Sequence, residues 1–126
     1  MGVQLNHHIV YCRNQKKSAK FLQEILGLPK STSFGPFIVV ELSNGVSLDF
    51  METDEEIQSQ HYAFLIDDAE FDTVFGRIKE RGLEYWADPA KSRPGKINHR
   101  DRGRGLYFDD PDGHFLEILT RPYGSG

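Results

Sequence analysis

Cysteine is almost absent from this chain: Cys12 is the only one in 126 residues. A lone thiol forms no internal disulfide, which excludes a disulfide-stapled secreted scaffold and fits a reducing compartment. Long hydrophobic runs are missing too. The longest are four or five residues, such as Tyr62-Ala63-Phe64-Leu65-Ile66, against the roughly 20 needed to span a bilayer. The first residues also lack the continuous apolar stretch of a signal peptide. Finally, there is no cationic excess: 15 Lys and Arg stand against 19 Asp and Glu, a net charge of −4. A surface that tracks phosphates needs clustered positive charge, so nucleic acid and anionic membranes are excluded as general partners. These absences lead to the expectation of a cytoplasmic protein that handles small molecules.

What is present centres on one stretch, Gly105 to Ile118. Leu106 to Phe108 is apolar, Asp110-Pro111-Asp112-Gly113 supplies turn chemistry, and Phe115 to Leu119 resumes the apolar run, so the pattern predicts strand, turn, strand. Glu117 is out of place in Phe-Leu-Glu-Ile-Leu. A buried carboxylate without a counter-charge costs several kcal/mol, so it implies a proton, a cation or a metal facing it.

The same pattern recurs earlier. Asp49 follows Gly45 by four residues, as Glu117 follows Gly113. His7 opens an apolar run seven residues before Asn14, and His61 opens another seven residues before Asp68. The chain therefore reads as a duplication. Its expected organisation is a single domain over 1–126, with module one over about 4–52, an acidic linker over 53–59 and module two over about 60–121.

Alternation puts His7, Ile9 and Tyr11 on one face of the first strand and His8, Val10 and Cys12 on the other. Asn14 is placed to cap a helix with an apolar stripe of Phe21, Leu22, Ile25 and Leu26, which Gly27 and Pro29 end. A hairpin follows, 37–42 and 46–51 across Ser43-Asn44-Gly45. In module two, Asp67 or Asp68 caps a helix with the stripe Phe71, Val74, Phe75 and Ile78, ended by Gly82, and Leu83 to Ala87 reads as a short strand. Residues 88–103 have no counterpart in module one. This insertion and its flank carry Lys91, Arg93, Lys96, Arg100, Arg102 and Arg104, with His99 among them.

If each module curls a sheet around its helix and the two sheets face one another, His7, His61, Asp49 and Glu117 project into one cleft. A lone strand histidine is ordinarily a hydrogen-bonded core or surface residue. Two imidazoles and two acids in matching registers point instead to a divalent metal site.

The chain resembles the vicinal oxygen chelate superfamily of glyoxalases, bleomycin-resistance proteins and extradiol dioxygenases. The residues that carry the resemblance are Leu5-Asn6-His7 through Ser18, Phe21 and Leu26-Gly27-Leu28, then His61-Tyr-Ala-Phe with Asp68, and finally Tyr107-Phe-Asp-Asp-Pro-Asp-Gly-His-Phe-Leu-Glu117. It implies an α+β fold of two tandem βαβββ modules forming a curved mixed-sheet cleft, and a homodimer in which one site can draw on both chains. It also implies metal ligands His7, His61 and Glu117 around one divalent ion: iron, manganese, nickel, cobalt or zinc. His7 is preferred to His8 because it alone reproduces the seven-residue spacing to the helix cap. Asp49 stands where glyoxalase I enzymes place a Glu, and its shorter side chain suits a water or a substrate hydroxyl. The run Ile97-Asn98-His99 to Tyr107, Asp110-Pro-Asp-Gly113 and Glu117 is similar to the extradiol dioxygenase signature, which implies that His99 and Tyr107 contact substrate. Residues 31–60 lack the further catalytic His of that group.

The expected function is thus a divalent-metal-dependent enzyme of the glyoxalase or dioxygenase kind. The metal acts as a Lewis acid on a small substrate, anionic or neutral, that chelates through vicinal oxygens. Glu117, Tyr107 and His99 are the expected catalytic residues, and Asp49, Tyr11, Arg100 and Arg104 the substrate contacts. The alternatives are a metal-free binding protein of the bleomycin-resistance type, an extradiol-type dioxygenase without the usual His, and a thiol transferase of the fosfomycin-resistance type.

Overall fold

The structure is a computed structural model that describes residues 2–126; residue 1, the first of the expected domain, lies outside the described residues. The chain divides into two compact units, Met1–Gln58 and Ser59–Gly126. Among the described residues no helix is long and apolar enough to cross a membrane.

The first unit runs β1 (His7–Cys12), α1 (Gln15–Leu26), β2 (Thr32–Phe34), β3 (Phe37–Glu41) and β4 (Ser47–Glu52). The sheet order is β1-β4-β3-β2, with β1 parallel to β4 and the other pairs antiparallel. Asn14 caps α1, its side chain accepting from the Lys17 N–H, and Gly27 ends it at φ 68°, the left-handed conformation that a side chain disfavours. The expected α1 stripe is buried at Leu22 and Ile25, and the helix packs on β3 and β4. Val10, Cys12, Leu48 and Phe50 are buried on the helix side, each such Leu or Phe stabilising by about 1.5–3 kcal/mol. His8 shares their parity but is exposed at the strand's beginning.

The second unit runs β5 (His61–Leu65), α2 (Asp68–Glu80), a 3-10 turn (Arg100–Arg102), β6 (Gly105–Asp109) and β7 (Phe115–Leu119). Its sheet order is β5-β7-β6, again one parallel and one antiparallel pair. Asp67 caps α2, accepting from the Glu70 N–H. Phe71, Val74 and Ile78 of the helix are buried, as are Leu106, Phe108, Leu116 and Ile118 of the strands.

One expectation needs correction. The strand expected over 83–87 shrinks to single bridges from Trp86 to Tyr107 and Pro94. Asp88 bends the chain at once, its carboxylate accepting from the Ser92 and Arg93 N–H groups, while Pro89 and Pro94 have no N–H to extend a ladder. Conversely, β2 completes the three strands after α1 that a βαβββ module requires, although Thr32-Ser33-Phe34 carries no apolar alternation to mark it. It pairs through the Gly35 turn at φ 56°.

Register bears directly on the duplication. In β1 and β4, Ile9 stands opposite Asp49; in β5 and β7, Ala63 stands opposite Glu117. In each unit, then, the acid pairs with the residue two beyond the histidine.

Candidate metal and substrate site

In the first unit His7 and Asp49 lie on the face of the sheet opposite α1. Asp49 accepts from the Ser47 hydroxyl at 2.8 Å, so the period-two parity expected for β4 holds. His7 is exposed, and its Nδ1 lies 2.7 Å from Asn6 Oδ1. The amide oxygen is an acceptor, so Nδ1 donates and Nε2 keeps its lone pair. Tyr11 lies further along the same face and is 47% exposed.

In the second unit a tighter arrangement forms around Glu117, which is only 1% exposed. Tyr107 is its direct cross-strand partner, and His61 lies two residues from its other partner, so β5, β6 and β7 present all three on one face. His61 Nδ1 sits 2.9 Å from the Phe115 carbonyl. A carbonyl only accepts, so Nδ1 carries the proton and Nε2 of the neutral ring is a lone pair. That lone pair faces Glu117 Oε1 at 3.1 Å. Two acceptors at this distance are stable only with a cation between or beside them, a proton or a metal ion.

The other carboxylate oxygen is also engaged. The Tyr123 hydroxyl donates to Glu117 Oε2 in a short hydrogen bond. It lies 3.0 Å from the Tyr107 hydroxyl, and Arg100 Nη1 donates to Tyr107 at 2.6 Å and to Tyr123 at 3.3 Å. Donors thus run in one direction, Arg100 to Tyr107 to Tyr123 to Glu117, and each polarises the next. Burial of the Tyr123 hydroxyl, followed by its hydrogen bond to Glu117, pushes that phenol up and keeps it protonated. The hydrogen bond to Tyr107 likewise raises Arg100. Phe115 stacks on Tyr107 at 5.2 Å and lies 5.8 Å from His61, giving the face an aromatic floor.

Two residues expected to contact substrate sit elsewhere. Arg104 is drawn to α2, where its guanidinium pairs with Asp68 at 3.2 Å and Asp72 at 2.7 Å and lies 4.5 Å over the Phe71 ring. Two carboxylates in the first turns of a helix hold it there, away from the face that carries Glu117. His99 is exposed at the start of the 3-10 turn, and Arg100, not His99, reaches the Tyr107 hydroxyl. Asn98 sets this turn, anchored to Ala87 and paired with Gly105. Lys91 is also occupied, 3.0 Å from Asp109. His114 is buried behind the sheet and accepts from the Gln60 N–H, a structural role in keeping with its parity. Tyr123 was missed: it follows β7, beyond the expected end of module two, and no period marks it.

A model of the "Glyoxalase/Bleomycin resistance protein/Dioxygenase superfamily" matches residues 4–118. The chain belongs to this superfamily. Among solved structures, "Oxidase ChaP-H2" is similar at 63% identity and TM-score 0.98, covering 100% of this chain and 99% of that one. "Oxidase ChaP-H1" is similar at 59% identity and TM-score 0.96, covering 98% and 99%. Among curated proteins, the glutathione transferase FosA of Serratia marcescens is 27% identical over 90% of this chain and 78% of its own length. The superfamily fold therefore accounts for the duplicated units, and the proteins this chain resembles include oxidases and a glutathione transferase.

Each unit offers donors of the kind a divalent ion takes. Within the second unit, an imidazole lone pair and a buried carboxylate oxygen already face one another. In the first unit, His7 offers a second lone pair prepared in the same way, its Nδ1 held by an oxygen. Among the described residues, no group of three or more His, Cys, Asp or Glu side chains is gathered closely enough to hold a metal ion.

Proposed function

We propose that the protein is a metal-dependent oxidase whose divalent ion is held by His7, His61 and Glu117, and whose substrate is a small molecule with two adjacent oxygens. The observation that carries this reading is the 3.1 Å approach of His61 Nε2 to a Glu117 carboxylate that is 1% exposed, two acceptors that call for a cation. Identity of 63% to an oxidase across the whole chain supports the reaction class. When bound, the ion supplies Lewis acidity and a docking point for vicinal oxygens.

The remaining steps belong to the protein. Tyr107 is fixed by Arg100 and packed on Phe115, so it presents a hydroxyl of set orientation beside Glu117. Arg100 is the basic side chain of the insertion that reaches the Tyr107 and Tyr123 hydroxyls, and it supplies positive charge to an anionic substrate oxygen. Asp49, steadied by Ser47, accepts from a substrate hydroxyl or a water. Two copies assemble as a homodimer, and the protein works in the cytoplasm.

Oxygen uptake is the direct test. Iron(II)-loaded protein is offered catechols, hydroxyquinones and α-hydroxyketones, beside a His61→Ala variant. Uptake with one class, lost in the variant, is expected; no uptake with iron, manganese, nickel, cobalt or zinc contradicts the oxidase reading. A second reading, action on fosfomycin, is favoured by the resemblance to the fosfomycin resistance proteins FosX. Cys12 is buried against the Met51 carbonyl and is not placed to supply a thiol, so transfer of a thiol requires an added one. Turnover of fosfomycin with glutathione separates the two readings.

A further inference from the structure

We propose that Tyr123 is a positioning residue that biases Glu117 toward one-oxygen coordination, and that the basic insertion and the segment after β7 form a clasp holding it there. This rests on His61 and Glu117 being metal ligands.

The clasp is built from both sides. Asp101 accepts from the Gly124 N–H at 3.1 Å through one carboxylate oxygen and from the Gly126 N–H at 3.2 Å through the other. Arg121 donates to the Ser125 carbonyl at 2.8 Å, and the Ser125 N–H returns to the Pro122 carbonyl, so residues 121–126 are folded on themselves. On the insertion side, Asp101 and Arg102 adopt φ of 55° and 65°, a left-handed backbone that side chains disfavour. That unusual turn lets neighbouring residues act in two directions. Arg100 reaches the hydroxyls of Tyr107 and Tyr123, while Asp101 reaches the backbone on either side of Ser125. Gly103 then brings the chain back so close to β7 that a Cβ would stand 2.6 Å from Thr120 Oγ1, a place only glycine fits.

The consequence falls on Glu117. Its Oε2 is taken by the Tyr123 hydroxyl, which leaves Oε1 alone facing His61. A carboxylate free at both oxygens can rotate or chelate, and a hydrogen bond at Oε2 takes one of its lone pairs and biases it toward binding through Oε1. Groups that hydrogen-bond a ligating carboxylate fix its orientation, and losing them typically weakens metal binding about 10- to 100-fold.

Cobalt(II) is the probe. Metal-free wild type, Tyr123→Phe and Asp101→Ala are titrated with cobalt(II), and its visible absorption is recorded along with far-ultraviolet circular dichroism. The expected result is about a tenfold or greater loss of affinity in Tyr123→Phe at unchanged secondary structure, with weaker visible bands as the freed oxygen raises the coordination number. Asp101→Ala keeps the phenol but opens the clasp, and shifts the spectrum in the same direction by less. It also serves if Tyr123→Phe fails to fold. Affinity within twofold of wild type and an unchanged spectrum in both variants overturn the role of Tyr123 and leave the metal reading standing. Wild type that takes up no cobalt overturns the metal reading and the positioning role with it.

Discussion

Replacing Glu117 with Gln is expected to raise the melting temperature of the metal-free protein, and replacing His61 with Ala to lower it. The opposite signs follow from the unequal burial of the pair: the Glu117 side chain is 1% exposed and that of His61 is 48%. Removing the buried half leaves an imidazole that water can solvate. Removing the exposed half leaves a buried carboxylate with the Tyr123 hydroxyl as its remaining partner. Gln is nearly isosteric with Glu. Its amide N–H can donate to the Nε2 lone pair while its oxygen keeps the hydrogen bond from Tyr123, so a buried charge that needs a cation beside it becomes a neutral hydrogen bond that does not. One neutral hydrogen bond plus relief of charge burial stabilises by about 1–2 kcal/mol. For a domain of this size that is a rise of roughly 3–8 °C. His61→Ala loses about 1–3 kcal/mol by the same reasoning. Thermal unfolding in excess chelator at pH 7, followed by circular dichroism, reads both. A Glu117→Gln variant that melts below wild type refutes the argument from charge burial. Adding metal reverses the order, because only wild type gains binding energy on top of folding.

Other variants separate structural from chemical roles. His114→Ala empties a site that is 1% exposed and leaves the Gln60 N–H without its acceptor, a loss of about 2–4 kcal/mol with metal uptake unchanged, read by denaturant titration and metal analysis. Arg104→Ala lowers the melting temperature modestly, by less in high salt, and leaves metal uptake intact, since its partners are Asp68 and Asp72 on α2. Burial raises Asp110 above its ordinary value of 3.8, against opposing hydrogen bonds from the His114 and Asp112 N–H groups. A carboxyl raised in the folded state favours folding in acid and loses that contribution as pH rises through its folded value. Asp110→Asn, whose amide oxygen can still accept from both N–H groups, is therefore as stable as wild type or more so at pH 7. Its advantage vanishes below pH 3.8, which melting curves across that range check.

The sequence was most legible where a period or a cap imposes local geometry. Asn14, Gly27 and Asp67 mark helix ends by the chemistry of unsatisfied backbone groups, and those signals survive in any surroundings. Strand parity carried Ser47 with Asp49, because a period of two leaves no freedom once one residue is assigned, whereas Tyr107 came from the resemblance to the extradiol signature. Parity also kept His114 away from the site. The insertion was harder to read. A run of basic residues says that charge is available, but not which carboxylates claim it: Asp68 and Asp72 took Arg104, and Asp109 took Lys91. Tyr123 could not have been found by pattern at all, since it reaches Glu117 by chain reversal after β7 and by anchors at Asp101. Its only local signal is an aromatic residue between Pro122 and Gly124, in a stretch that otherwise reads as a turn.

Metal stoichiometry tests the central claim most directly. Wild type, His7→Ala, His61→Ala and Glu117→Gln are stripped, reconstituted with iron(II), dialysed and subjected to elemental analysis. The account predicts about one ion per chain in wild type and loss of it in each of the three variants, because a site of three protein ligands does not survive the removal of one. Wild type that retains no ion, or a His7→Ala variant that retains as much as wild type, contradicts it.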